Sequence, residues 1–103
     1  MTDLEITEVS PRRFSLKGEL DMASAETLRD ALQPIVDAEG SICLDVGGLT
    51  FIDSSGLRAL VMLSERINGS GPLVLSNVSV GVRRLLDIVG LETLPGIEVE
   101  GNG

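Results

Sequence analysis

Two hydroxyls beside a carboxylate, in Asp53-Ser54-Ser55-Gly56, lie between a strand-like apolar stretch and the amphipathic run Leu57 to Ile67. A helix starting there presents unpaired backbone N–H groups and the positive end of its dipole, so a phosphate on one of these serines would be well received. A second string of matching chemistry, Gly18-Glu19-Leu20-Asp21, precedes another helical pattern. Little else in the chain performs chemistry unaided. There is no histidine, which excludes Ser-His-Asp and Cys-His catalysis and every His-containing metal site. Asp21 and Asp53 would make an acid and base pair, but no substrate cradle accompanies them. Gly56 is not a phosphate-loop glycine: the Gly-x-x-x-x-Gly-Lys-Ser/Thr pattern is missing and the sole lysine is Lys17, so ATP binding by this chain is disfavoured. No metal or cofactor is expected, and the chain reads as a non-enzymatic switch worked through a serine.

The elements that must position these residues follow from hydrophobic period. Leu4, Ile6 and Val9 interleave with Glu5, Thr7 and Glu8, and Phe14, Leu16 and Gly18 alternate with polar residues beyond a turn at Ser10-Pro11-Arg12, which predicts a hairpin. From Ser24, read as an N-cap, Leu28, Leu32, Ile35 and Val36 form one helical stripe that Gly40 ends. Ile42 to Val46 is an apolar-rich run expected to be a central strand covered on both faces, with Gly47-Gly48 as an irregular exit. Leu57, Leu60, Val61 and Ile67 give a second helix starting at the serines and broken by Asn68-Gly69-Ser70-Gly71-Pro72. Leu73-Val74-Leu75 predicts a short strand, and Val78, Val82, Leu85, Leu86 and Val89 a third helix closed by Gly90, with Leu91 after it. Ile97 to Glu100 alternates as a last strand, and Gly101-Asn102-Gly103 carries nothing to order it. The expected fold is α/β, a mixed, mostly parallel sheet with helices packed on it, in the order ββαβαβαβ. In such sheets the loops at the strand carboxyl ends form the functional rim, and the Asp21 and Asp53 strings are candidates for one site there.

Composition bounds the function. A chain of 103 residues suits one domain, with a core from about residue 4 to 100. Hydrophobic residues make up 43%, but Phe14 and Phe51 are the only aromatics, so the core must be aliphatic. Sixteen acids against eight bases give a net charge of −8, which repels nucleic-acid phosphates and anionic lipid and points to a protein partner. Cys43 is the single cysteine; no internal disulfide can form, as suits a reducing cytoplasm, and its plain reading is a small core residue. No 18-residue apolar stretch or charged-then-apolar leader is present, so a soluble, cytoplasmic protein without direct membrane contact is expected.

Gly18-Glu19-Leu20-Asp21 with its Ala-x-x-Leu helix, Leu44-Asp45-Val46 through Phe51-Ile52-Asp53-Ser54-Ser55-Gly56-Leu57, and Leu75-Ser76-Asn77-Val78 with Leu85-Leu86 together resemble the STAS family, specifically bacterial anti-sigma factor antagonists. Three strings in one order, at spacings that agree with the elements above, carry the resemblance over about residues 4 to 100. It implies that Ser55 is phosphorylated by a partner that is both an anti-sigma factor and a serine kinase. It also implies that only the unphosphorylated form captures this partner and frees a sigma factor, and that a serine phosphatase reverses the mark. Members commonly continue into a further C-terminal helix, whereas this sequence ends at Gly103. The rival expectation is a scaffolding STAS subunit, resembling the small partner of a lipid-transport ATPase or a component of a stress-signalling complex, which needs no phosphate.

Each residue also has a plainer reading. Ser and Asp ahead of a helix are ordinary caps; the cap is assigned to Ser54 or Asp53 and the modification to Ser55. Asp21 is expected to present Ser55 to the kinase or hold its hydrogen bonds, against a plain role as a turn or cap residue. Arg58 and Met62 are expected to face outward and touch the partner, against simple solvent exposure.

Overall fold

A computed structural model describes residues 4–36, 41–67, 72–89 and 96–101. Its elements run β1 (Leu4–Ser10), β2 (Arg13–Leu20), α1 (Met22–Val36), β3 (Ile42–Ile52), α2 (Ser54–Ile67), β4 (Leu73–Val78), α3 (Val80–Val89) and β5 (Ile97–Gly101). The five strands form one sheet in sequence order; β1 is antiparallel to β2, and the other three pairings are parallel. The expected order ββαβαβαβ and the mixed, mostly parallel sheet are both present. The expected helix-ending residues Gly40, Asn68 to Gly71, Gly90 and Leu91 lie outside the described residues.

The hairpin turns on Pro11 and Arg12, whose φ of 65° is the left-handed conformation such a turn requires. Arg12 then ties two elements together: its guanidinium donates to the carbonyls of Ser41 (2.8 Å) and Ile35 (3.2 Å). Ile35 lies in the last turn of α1, where unpaired carbonyls and the negative end of the dipole attract a cation. Helix α1 packs on β1 and β2, α2 on β3 and β4, and the two helices pack on each other. The core beneath them is aliphatic, with Leu16, Leu20, Leu28, Leu32, Leu44, Leu60, Leu75 and Leu86 almost wholly removed from water.

Four expectations are corrected. Strand β3 does not stop at Val46 but continues through both glycines to Ile52. Between Asp45 and Gly48 it advances three residues while β2 advances two, from Ser15 to Lys17, and the register shifts again before Glu19. These bulges space the inward residues Val46, Leu49 and Ile52 three apart, which hides the strand from a search for strict alternation. Gly48 permits the close approach: a Cβ there would lie 2.7 Å from Lys17 Cγ and 2.8 Å from the Leu16 carbonyl. Secondly, among the described residues β3 is covered on one face only. Ile42, Leu44 and Val46 are buried, whereas Cys43 and Asp45 are half-buried on the opposite face, beside Ser76 and Arg13. Thirdly, Val78 belongs to β4, and α3 starts after Ser79, whose hydroxyl accepts the Val82 N–H (3.3 Å). Fourthly, Gly101 is ordered, paired with Val78 in the last strand.

Candidate functional site

Strands β2 and β3 end level with each other, with Leu20 opposite Ile52. The Asp53 N–H donates to the Leu20 carbonyl (3.2 Å), so the residues that follow each strand, Asp21 and Asp53, open two neighbouring helices at one rim of the sheet. Gly18-Glu19-Leu20 is therefore strand rather than loop, and Asp21 alone makes the bend.

At α1 the cap is Asp21, three residues before the predicted Ser24. Asp21 Oδ1 accepts the Ser24 N–H (3.0 Å), and the Ser24 hydroxyl accepts the Asp21 N–H (2.9 Å). This reciprocal pair is a capping box with serine in the place more often held by Glu or Gln. The buried Ser24 hydroxyl shares its proton between the Glu19 carbonyl (2.7 Å) and Asp21 Oδ1 (3.0 Å). The Ser24 backbone N–H, followed by the Ser24 hydroxyl, holds the Asp21 carboxyl below its ordinary value of 3.8. Since the folded value is the lower one, this carboxylate stabilises the protein above pH 3.8, and the contribution is lost as pH falls through the depressed value. Asp21→Asn is expected to lower the melting temperature at neutral pH and to flatten its decline in the acid range below pH 3.8, as thermal melts from neutral pH down to about pH 2 will show.

At α2 the cap is Asp53. Its Oδ1 accepts the Gly56 N–H (2.9 Å), and its carbonyl accepts the first helical bond from Leu57 (3.0 Å). Asp53→Ala is expected to cost about 0.5–2 kcal/mol of stability, measured by chemical denaturation. Ser54 and Ser55 thus occupy the first two helical positions, where their backbone N–H groups have no intrahelical acceptor. Ser54 is exposed; Ser55 is half-buried. Gly56 packs inward: a Cβ on it would meet the Leu20 carbonyl, Leu20 Cγ at 2.8 Å and Ile52 Cγ1 at 3.0 Å. Its lack of a side chain seats the first turn of α2 directly on the ends of β2 and β3, which fixes the height of Ser55 above the sheet.

Ser55 lines a groove of about 300 Å³ between α1 and α2, together with Met22, Arg29, Arg58, Met62 and Arg66. Met22 is 74% exposed and Met62 44%. Of the expected site residues, the structure brings Ser55, Arg58 and Met62 together along this groove. Ser54 and Asp53 adjoin it in sequence, while Asp21 is not among its lining residues and its carboxylate is engaged by Ser24. The α1 wall was missed from the sequence: Met22, Glu26 and Arg29 complete the groove. Met22, an apolar residue off the Leu28-Leu32 stripe, was the available signal. Among the described residues no cluster of His, Cys, Asp and Glu could hold a metal, and no helix is long and apolar enough to cross a membrane.

Comparison with known proteins agrees with this architecture. A family profile described as "Mlab, STAS domain" matches residues 6–97. The anti-sigma-B factor antagonist of Bacillus subtilis (strain 168) is 30% identical over 92 residues, spanning 88% of this chain and 84% of that protein. The solved structure of the anti-sigma factor antagonist SpoIIAA in its unphosphorylated form superposes with a TM-score of 0.73 at 23% identity, over 96% of this chain and 89% of that one. The Bacillus cell fate determinant SpoIIAA in its phosphorylated form gives 0.67 at 22%, over 96% and 92%. The matched span covers α1 and α2, the groove between them, strands β2 to β4 and most of β1, and this chain belongs to the STAS-domain family.

Proposed function

We propose that this chain is an anti-sigma factor antagonist controlled by phosphorylation of Ser55. Unmodified, it binds an anti-sigma factor that is also an ATP-dependent serine kinase, and so frees a sigma factor in the bacterial cytoplasm; a serine phosphatase restores the binding form. The observation that carries the reading is the Ser55 hydroxyl, half-buried at the second position of α2 and on the wall of an open groove. It is reachable by an enzyme, and it lies on a surface a partner would cover. The reading is supported by the names of the relatives, among them the Bacillus subtilis antagonist, and by the description of SpoIIAA in phosphorylated and unphosphorylated forms.

The chain acts as a binding module, without catalysis of its own. A phosphate adds roughly 1.5 to 2 negative charges, and the start of α2 favours such charge by about 0.3–1 kcal/mol. The fold therefore stands, and the loss of binding arises across the interface. Asp21 serves the switch indirectly by holding the first turn of α1, where Met22 forms part of the groove.

A second reading, a scaffolding STAS subunit without a phosphate switch, draws support from the MlaB description of the matching profile. Incubation with ATP and the anti-sigma kinase of the same cell, followed by peptide mass mapping, separates the two. The antagonist gains one phosphate at Ser55; a scaffold gains none.

A further inference from the structure

The proposed modification places a dianion in a groove that is cationic within an otherwise acidic chain. Three of the eight basic residues, Arg29, Arg58 and Arg66, line the groove that holds Ser55. Side chains on a helix lean toward its N-terminus, so Arg58 covers the turn that contains Ser55, and residues three apart on a helix lie about 5–6 Å from each other at Cβ. Arg58 is exposed and, among the described residues, has no ion pair. Arg29 lines the facing wall of the same groove, on α1. Its ion pair is with Glu26 at 3.8 Å, with side chains 47% and 71% exposed, a contact of little strength that a stronger anion can displace.

We propose that a phosphate on Ser55 is captured in cis by Arg58 and Arg29, so that the modified chain closes the mouth of its own groove between α1 and α2. The proposal rests on the reading above for one point, that Ser55 carries the phosphate. Guanidinium forks match phosphate oxygens in paired, charge-assisted hydrogen bonds, and the unpaired N–H groups of Ser54 and Ser55 face the same end of the helix. The carboxylates of Asp53 and Glu26 oppose the capture. Glu26 is already loosely held, and Asp53 is engaged by the Gly56 N–H. Phosphorylation then does more than add a charge: it withdraws two groove cations from any partner that uses them.

The test uses the full chain with phosphoserine placed at position 55 during translation, so neither kinase nor partner is needed. The second ionisation of the phosphate, near pH 6 in a free phosphoserine, is followed by phosphorus NMR in the parent, in Arg29→Gln and Arg58→Gln singly and together, and in Arg66→Gln, whose residue lies two turns further along α2. The double variant is expected to raise that pKa by about half a unit or more, each single variant to raise it by part of that amount, and Arg66→Gln to leave it unchanged. Circular dichroism confirms that the variants, altered at exposed positions, are folded. An identical titration in the parent and the double variant would overturn the capture and leave the helix N-terminus as the whole environment of the phosphate. An equal shift from Arg66→Gln would overturn it as well, since the field would then be diffuse. With no anti-sigma factor in the tube, failure of the antagonist reading leaves this result untouched, and failure here leaves the antagonist reading standing.

Discussion

Gly56→Ala is expected to destabilise the protein by about 2–3 kcal/mol, the upper part of the range for overpacking a filled site, and to lower its melting temperature by roughly 10–20 °C. Alanine ordinarily improves a helix relative to glycine by about 0.8–1 kcal/mol, so the sign must come from space. The new methyl would press on the Leu20 carbonyl and on the side chains of Leu20 and Ile52. None of these can retreat easily: Leu20 is buried and paired with Ile52, and its carbonyl already accepts the Asp53 N–H. Helix α2 must lift at its first turn, carrying Ser55 with it. Gly81 on α3 is the internal control, since a Cβ there meets nothing within 4 Å; Gly81→Ala is expected to be neutral or to stabilise by up to about 1 kcal/mol. Thermal melts of both variants decide the matter, and a Gly56→Ala protein as stable as the parent would remove the packing role assigned to this glycine.

The second large effect is on partner affinity. Phosphorylated Ser55 is expected to bind the anti-sigma factor at least about 100-fold more weakly than unmodified protein, roughly 2.7 kcal/mol, because a doubly charged group must be desolvated at a closely packed interface. Ser55→Asp carries less charge, and about a tenfold weakening is expected. Ser55→Ala is expected to keep the parent's affinity and to accept no phosphate. The melting temperature should change little on phosphorylation, since an anion at the start of α2 is worth only about 0.3–1 kcal/mol to the fold. Affinity and stability thus separate, and a phosphoprotein that loses binding only because it unfolds would contradict this account.

Local chemistry made much of this visible in the sequence. The hairpin was legible from alternation around Pro11 and Arg12, and the start of α2 from Asp53 followed by two serines and the Leu57-Leu60 stripe. What escaped depends on contacts between distant residues. The length of β3 was hidden because its bulges against β2 replace alternation with a spacing of three. The start of α1 was placed at Ser24 because serine is a good cap, yet Asp21 and Ser24 cap each other and Asp21 is the outer of the two. Arg58 and Met62, expected only to face outward, line one wall of the groove. The other wall comes from Met22 and Arg29, and only the pairing of Leu20 with Ile52 brings α1 alongside α2. The reason for glycine at position 56 is likewise a carbonyl from another strand, which no local pattern announces.

In the proposed switch, one hydroxyl on the groove wall governs docking by taking on charge while the architecture persists. Calorimetric titration of the same anti-sigma factor with Ser55→Ala and with authentic Ser55 phosphoprotein tests it most directly. A complex with the alanine variant and a loss of about 100-fold or more in affinity for the phosphoprotein are expected; equal affinities for the two would rule out the switch.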